Sequence, residues 1–132
     1  MQDVIFDFRS DDASLHGTAL EELTMKLKVE FRSKGIDLTC ASSYRNFMET
    51  VGLESIQQTG FYWPVGTWPQ DKHRKNLGKW CQANLLRILH AISIVPLTEH
   101  GPYRMSKEAV EVLLARVRRD LRDPEIHAYL QV

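Results

Sequence analysis

GFYWPVGTWPQDKHRKNLGKWCQANLL, residues 60–86, is the stretch the rest of the chain must accommodate. It carries every tryptophan of the sequence, Trp63, Trp68 and Trp80, and the densest basic run, Lys72 to Lys75. Pro64 and Pro69 fix φ near roughly −65° and remove two backbone donors, so regular structure is expected only beyond Pro69. The stretch therefore predicts a rigid extended arm that feeds a helix. Indoles on such an arm, each able to bury about 150–250 Å², must face either a core or a ligand.

Working outward, Asp3 to Arg9 (DVIFDFR) reads as a strand of β-branched and aromatic residues. A helix is predicted from about Thr18 to Lys34, with Leu20, Leu23, Leu27 and Phe31 at helical spacing. Thr18 followed by Glu21 has the form of a capping box, and Gly35 suits the position after the end. Ser42 to Gly52 predicts a shorter helix with a stripe of Tyr44, Phe47, Met48 and Val51. Ser55 to Val65 predicts a strand running into the arm.

From about Asp71 a long helix is predicted to Val95, lined by Leu77, Cys81, Leu85, Ile88 and Ile92, with Trp80, Asn84 and Leu89 beside that line. Pro96 is expected to stop it. After the turn LTEHGPYRM, a last helix runs from Ser106 to about Arg122 with Val110, Leu113, Leu114, Val117 and Leu121 inward. EIHAYLQV is expected as an edge strand.

A chain of 132 residues has room for one domain, residues 1–132. Its 17 basic and 17 acidic residues cancel, which leaves no net field to draw it to nucleic acid. No apolar run approaches the roughly 20 residues that span a bilayer, and MQDVIFDF lacks the layout of a signal peptide. The expectation is a cytoplasmic protein with no nucleic-acid or membrane partner. Cys40 and Cys81 are expected as separate thiols. With no H-E-x-x-H, C-x-x-C, G-x-S-x-G or P-loop, no metal and no cofactor are expected, and hydrolase and nucleotidase readings have no support.

WPVGTWPQDKHRKNLGKW (63–80), followed by an LL-rich helix and EVLLARVRRDLRDPEIHAYLQV (111–132), resembles the C-terminal half of fungal LaeA-like S-adenosylmethionine-dependent methyltransferases. VIFDFRSDD (4–12) resembles the fifth strand of the class I methyltransferase fold and its acidic loop. YRNFMETVGLESIQQTGFYWPVG (44–66) resembles the lid helix and the strand after it. The resemblance implies a role in secondary metabolism. In that family a glycine-rich turn after the first strand and an acidic residue ending the second hold the cofactor, because only glycine permits close backbone approach and a carboxylate accepts both ribose hydroxyls. The 132 residues contain no G-x-G. The expectation is the substrate side without the cofactor side.

The implied fold is α+β, a mostly helical remnant of the class I methyltransferase fold with a partial sheet of two to four strands. Bare sheet edges call for cover, from a homodimer or from another pathway protein. The expected function is a cofactor-independent biosynthetic enzyme that cyclises, isomerises or rearranges a polyketide- or terpenoid-like small molecule. A non-catalytic assembly subunit and a piece of a complete methyltransferase are the alternatives.

As acid/base candidates, His16 lies in the loop that borders the substrate pocket in such folds, and His73, His90 and Tyr62 complete the set. Each histidine has a plain alternative as a solvated side chain. Trp63, Trp68, Trp80 and Tyr103 are the candidate pocket walls, or else glue between arm and helix. Asp11 and Asp12 are expected to be solvated. His73, Arg74, Lys75 and Lys79 are candidates for attracting an anionic group such as a carboxylate, against the plainer reading of a solvated helix start. His127 and Tyr129 alternate with Ile126 and Ala128 and are expected to be structural.

Overall fold

The computed structural model describes residues 2–99 and 101–132. Position 100, in the turn expected before the last helix, lies outside the described residues. The architecture is α+β: a small sheet of three strands packed with helices. β1 (Ile5–Arg9) and β2 (Tyr62–Pro64) run in the same direction and do not pair with each other. β3 (Tyr129–Gln131) lies between them, antiparallel to both. The closing segment is thus the centre of the sheet, not its edge as its position in the sequence suggested. Its Leu130 and Ala128 point into the core while Tyr129 and His127 alternate outward.

β2 is far shorter than the strand expected from Ser55. Residues 57–60 are Gln-Gln-Thr-Gly, with no apolar alternation to bury, and Ser55 takes a positive φ of 57°. Only Tyr62 to Pro64 pair with β3, with Phe61 and Val132 adding reciprocal backbone bonds of 2.8 Å. Pro64 is tolerated because it ends a strand at the sheet edge, where its missing donor breaks no ladder. On the opposite edge, the Phe6 amide of β1 donates to the Leu38 carbonyl (3.1 Å), so the following loop covers part of that strand.

α1 (Ala19–Ser33) starts where expected. The Thr18 hydroxyl accepts from the Glu21 amide (3.2 Å), and the Glu21 carboxylate reaches back to the Gly17 amide (2.7 Å), one residue beyond the usual box partner. A further first-turn amide, that of Leu20, donates to Asp120 Oδ2 (3.1 Å), a buried acceptor lent by another helix. A 3₁₀ turn (Cys40–Ser43) precedes α2 (Tyr44–Thr50). No residue of α2 is buried, and Phe47 and Val51 of its expected stripe face solvent.

α3 (Lys72–Thr98) begins at Asp71, whose carboxylate caps the Arg74 amide (2.8 Å). It continues through Pro96, which lies in the last turn. Thr98 and Glu99 still bond back to Ile94 and Val95. Its buried line is Gly78, Cys81, Leu85, Leu89, Ser93 and Leu97, so Ile88 and Trp80, expected on or beside the apolar line, are exposed. Gly78 is there for a reason: its carbonyl accepts from the Gly66 amide (3.1 Å), and a Cβ on it would strike the Gly66 carbonyl oxygen. Gly66 itself sits at φ +94°. The arm between Val65 and Pro69 is laid on α3 through this glycine pair.

α4 (Lys107–Arg122), capped by Ser106 onto the Ala109 amide (3.1 Å), buries all five residues of its predicted stripe. It packs between α1 and α3 and closes the core around Leu20, Leu27, Leu97 and Leu114. Both cysteines are free thiols, and burial pushes Cys81 up to about 11, so it serves as a small packed group and not as a nucleophile. Among the described residues no helix is long and apolar enough to cross a membrane.

Candidate functional site

β1 and β2 are parallel, and their carboxyl ends meet the start of β3 in one row, Arg9, Tyr129 and Pro64. Ligands in folds with parallel strands bind in the crevice outside those ends. A cavity of about 550 Å³ lies there, lined by Asp11, Tyr62, Trp68, Asp71, Arg74 and Tyr129 over Pro64, Pro69 and Gln70. Its size is that of an ordinary small-ligand site. A second cavity of about 580 Å³ occupies the opposite end of the strands, between Gln2, Tyr44, Met48 and the irregular segment 56–61. It too is lined by charged and aromatic groups, Asp3, Arg45, Tyr44 and Phe61, with the Tyr44 hydroxyl donating to Asp3 Oδ2 at 2.5 Å, but it lacks a tryptophan and a second side-chain carboxylate.

The walls of the first cavity are held by their polar tips. The Trp68 indole N–H donates to the Ala128 carbonyl (3.1 Å), and the indole leans on His127 with centroids 5.1 Å apart. Tyr129 donates its hydroxyl to Asp11 Oδ1 (2.8 Å), and that carboxylate raises the phenol above its ordinary value. The Tyr62 and Tyr129 rings stand edge to face, 5.3 Å apart. Behind them His127 Nδ1 meets Asp12 Oδ2 at 2.5 Å, and its amide donates to Ser14 Oγ (2.8 Å). The acidic loop after β1 and the start of β3 are thus one hydrogen-bonded unit.

Hydrogen bonds from Ser14, assisted by His127, hold the Asp12 carboxyl down to about 2 from 3.8. A depressed folded-state value stabilises the native state above the unfolded value and is lost as the carboxyl protonates. The expected result is an acid limb of stability falling between pH 3.8 and about 2, flattened in Asp12→Asn, read by urea unfolding across that range.

Of the predicted site residues, the structure brings only Tyr62 and Trp68 to this cavity. Trp63 is half-buried in β2 and is not among the lining residues. Trp80 is 73% exposed on α3, turned away because Gly78, not the indole, makes the contact with the arm. His16 is an exposed loop side chain 3.5 Å from Glu21. His90 pairs with Glu111 across α3 and α4 (2.9 Å), and His73 is exposed in the first turn of α3. Tyr103 lies beneath the Lys26 ammonium, 4.2 Å from its ring centre, and its amide donates to the buried Glu30 carboxylate (2.9 Å). The four acid/base candidates are therefore not gathered in one place.

Tyr129, Asp11 and Arg74 were not expected to share a pocket. The signal was present only in part: Asp11 follows an apolar strand, and Tyr129 sits at an outward strand position. Their meeting depends on β3 pairing beside β1, a partnership more than 100 residues apart that no local pattern encodes.

These residues do not make an S-adenosylmethionine site. The carboxylates after β1 are committed to Tyr129 and His127, and the loop that carries them reaches its first glycine only at Gly17. Among the described residues no cluster of three potential metal ligands exists.

No family model and no solved structure matches the chain. Among curated proteins it is 34% identical over 85 residues to the secondary metabolism regulator LAE1 of Cochliobolus heterostrophus, covering 64% of this chain and 27% of that protein. It is 26% identical over 129 residues to the protein-methionine methyltransferase laeA of Emericella nidulans, covering 96% of this chain and 34% of the relative. It is 24% identical over 133 residues to the probable methyltransferase tdiE of the same organism, 100% of this chain and 41% of that one. The chain spans about a third of the length of the curated relatives it matches. The chain is therefore similar, over about a third of their length, to LaeA-like regulators and methyltransferases of fungal secondary metabolism.

Proposed function

We propose that this chain supplies the acceptor-binding side of an LaeA-like methyltransferase, with the methyl donor held by sequence other than these 132 residues. The observation that supports this reading is the aromatic cavity at the carboxyl ends of β1 and β2. Its lining includes no histidine, lysine or cysteine, and its two carboxylates are already engaged, Asp11 by the Tyr129 hydroxyl and Asp71 by the Arg74 amide. An acceptor that releases no proton on methylation needs no such base, and a thioether is the simplest of that kind. The name of the Emericella nidulans relative specifies protein methionine. Sulfur also packs well at the edges of aromatic rings, worth about 0.3–1.5 kcal/mol per contact.

Gene replacement tests this. A Tyr62→Ala allele should give the secondary-metabolite profile of a gene deletion, because Tyr62 is largely exposed and its removal empties one pocket wall without touching the core. Trp80→Ala should leave the profile unchanged. A wild-type profile from Tyr62→Ala at equal protein level would remove the reading.

A second reading, cofactor-independent cyclisation or isomerisation of a polyketide- or terpenoid-like molecule, is favoured by the Tyr129–Asp11 pair in the pocket wall. A phenol poised on a carboxylate can pass a proton to a substrate, and one placed acid or base contributes about 10²–10⁴-fold. Turnover by the purified protein that survives Tyr129→Phe would exclude it.

A further inference from the structure

We infer that the cavity at the carboxyl ends of β1 and β2 is selective for compact alkylated onium cations, quaternary ammonium or ternary sulfonium head groups, held by Tyr62, Trp68, Tyr129 and Asp11. This deepens the proposed function, since methylation turns a thioether acceptor into a ternary sulfonium and the ligand class is that of the product, and it rests on the placing of the acceptor in that cavity. The Tyr62 and Tyr129 rings are 88° apart in orientation, which makes two walls of a corner, and Trp68 lines the same space. The hydrogen-bonding tips of Trp68 and Tyr129 are spent on Ala128 and Asp11. What these two rings offer a ligand is therefore π surface and the accepting Tyr129 oxygen, but no donor.

The face of such a ring is the negative part of its quadrupole, and a cation over it is attracted without any N–H group of its own. Fixed charge points the same way. The lining carries two carboxylates, Asp11 and Asp71, against the single guanidinium of Arg74. Asp11 Oδ2 accepts no hydrogen bond among the described residues, which leaves it free to face a cation. The start of α3 would by itself favour an anion, but the Asp71 carboxylate already caps that end. A neutral flat ligand would use the rings and waste the carboxylates; an onium head group uses both.

Two sources share this chemistry, a methylated side chain of a protein and a free methylated metabolite. The test uses the ¹⁵N-labelled protein and follows the indole N–H resonances, with Trp80 as the internal control. Choline chloride should move the Trp68 signal and not that of Trp80. Its affinity should be roughly tenfold above that of 3,3-dimethylbutan-1-ol, the neutral isostere of equal shape, at matched ionic strength. Tyr62→Leu, which keeps an apolar wall but removes the ring, should abolish the difference.

A peptide bearing Nε-trimethyllysine that binds more tightly than choline assigns the site to a protein side chain, and the reverse assigns it to a metabolite. Equal binding of choline and the alcohol overturns the onium selectivity and leaves the cavity as the acceptor site. No Trp68 shift with any of the three overturns the inference, and the Tyr62→Ala allele then decides separately on the proposed function.

Discussion

Gly78→Ala is expected to lower the stability of the protein by at least about 2 kcal/mol. Two effects compete. Alanine is the better helix former by about 1 kcal/mol, so an exposed glycine in the middle of α3 would gain from the change. Here the new methyl would collide with the Gly66 carbonyl oxygen, a backbone atom that no rotamer change can move aside. Overpacking costs about 1–3 kcal/mol and occasionally more, and a clash with a fixed backbone atom falls at the upper end, so it outweighs the propensity term. Relief would require the arm from Val65 to Pro69 to lift from α3. That breaks the Gly66–Gly78 bond and displaces Trp68 from Ala128, so the pocket wall is lost along with the stability. Denaturant unfolding measures the first effect and the Trp68 indole resonance the second. A wild-type midpoint would mean that arm and helix are not in contact at this point.

Leu114→Ala is expected to cost about 2–5 kcal/mol, out of the roughly 5–15 kcal/mol that holds a domain of this size together. Leu114 is wholly buried on α4, the helix that contacts both α1 and α3, and it joins Leu20, Leu27 and Leu97 in the tightest part of the core. The cavity left behind is walled by three different elements, and none can close on it without leaving its other partners. Thermal and urea unfolding should agree on the loss. A cost below about 1 kcal/mol would show that the three helices are not packed through this residue.

The helices that meet the core along one narrow stripe were readable from spacing alone. Val110, Leu113, Leu114, Val117 and Leu121 occur every three or four residues and all are buried, and the same holds for Leu20, Leu23 and Leu27 of α1. The capping residue Thr18 was equally plain, because a cap is a local hydrogen bond. α3 was not, since it is apolar over a wide arc and hydrophobicity could not say which part of the arc is covered. The contact is chosen by the smallest residue on it, Gly78, which a hydrophobic pattern ignores. α2 shows the converse: a proper stripe with nothing to pack against. For the site, residue chemistry picked out Tyr62 as an acid/base candidate and Trp68 as a pocket wall, but the company they keep depends on strand order. Asp11 and Tyr129 are 118 positions apart and become neighbours only because the closing strand inserts between the other two.

That insertion sets a timetable for synthesis. A ribosome working along these residues makes both flanking strands and the described helices before it reaches Tyr129. Until then the two early strands have no common partner, and the pocket at their ends lacks a wall. The helices can collapse first, because their contacts involve only earlier residues, while this wall of the cavity waits for Tyr129. A stalled or prematurely released polypeptide would be substantially folded and blind to its ligand.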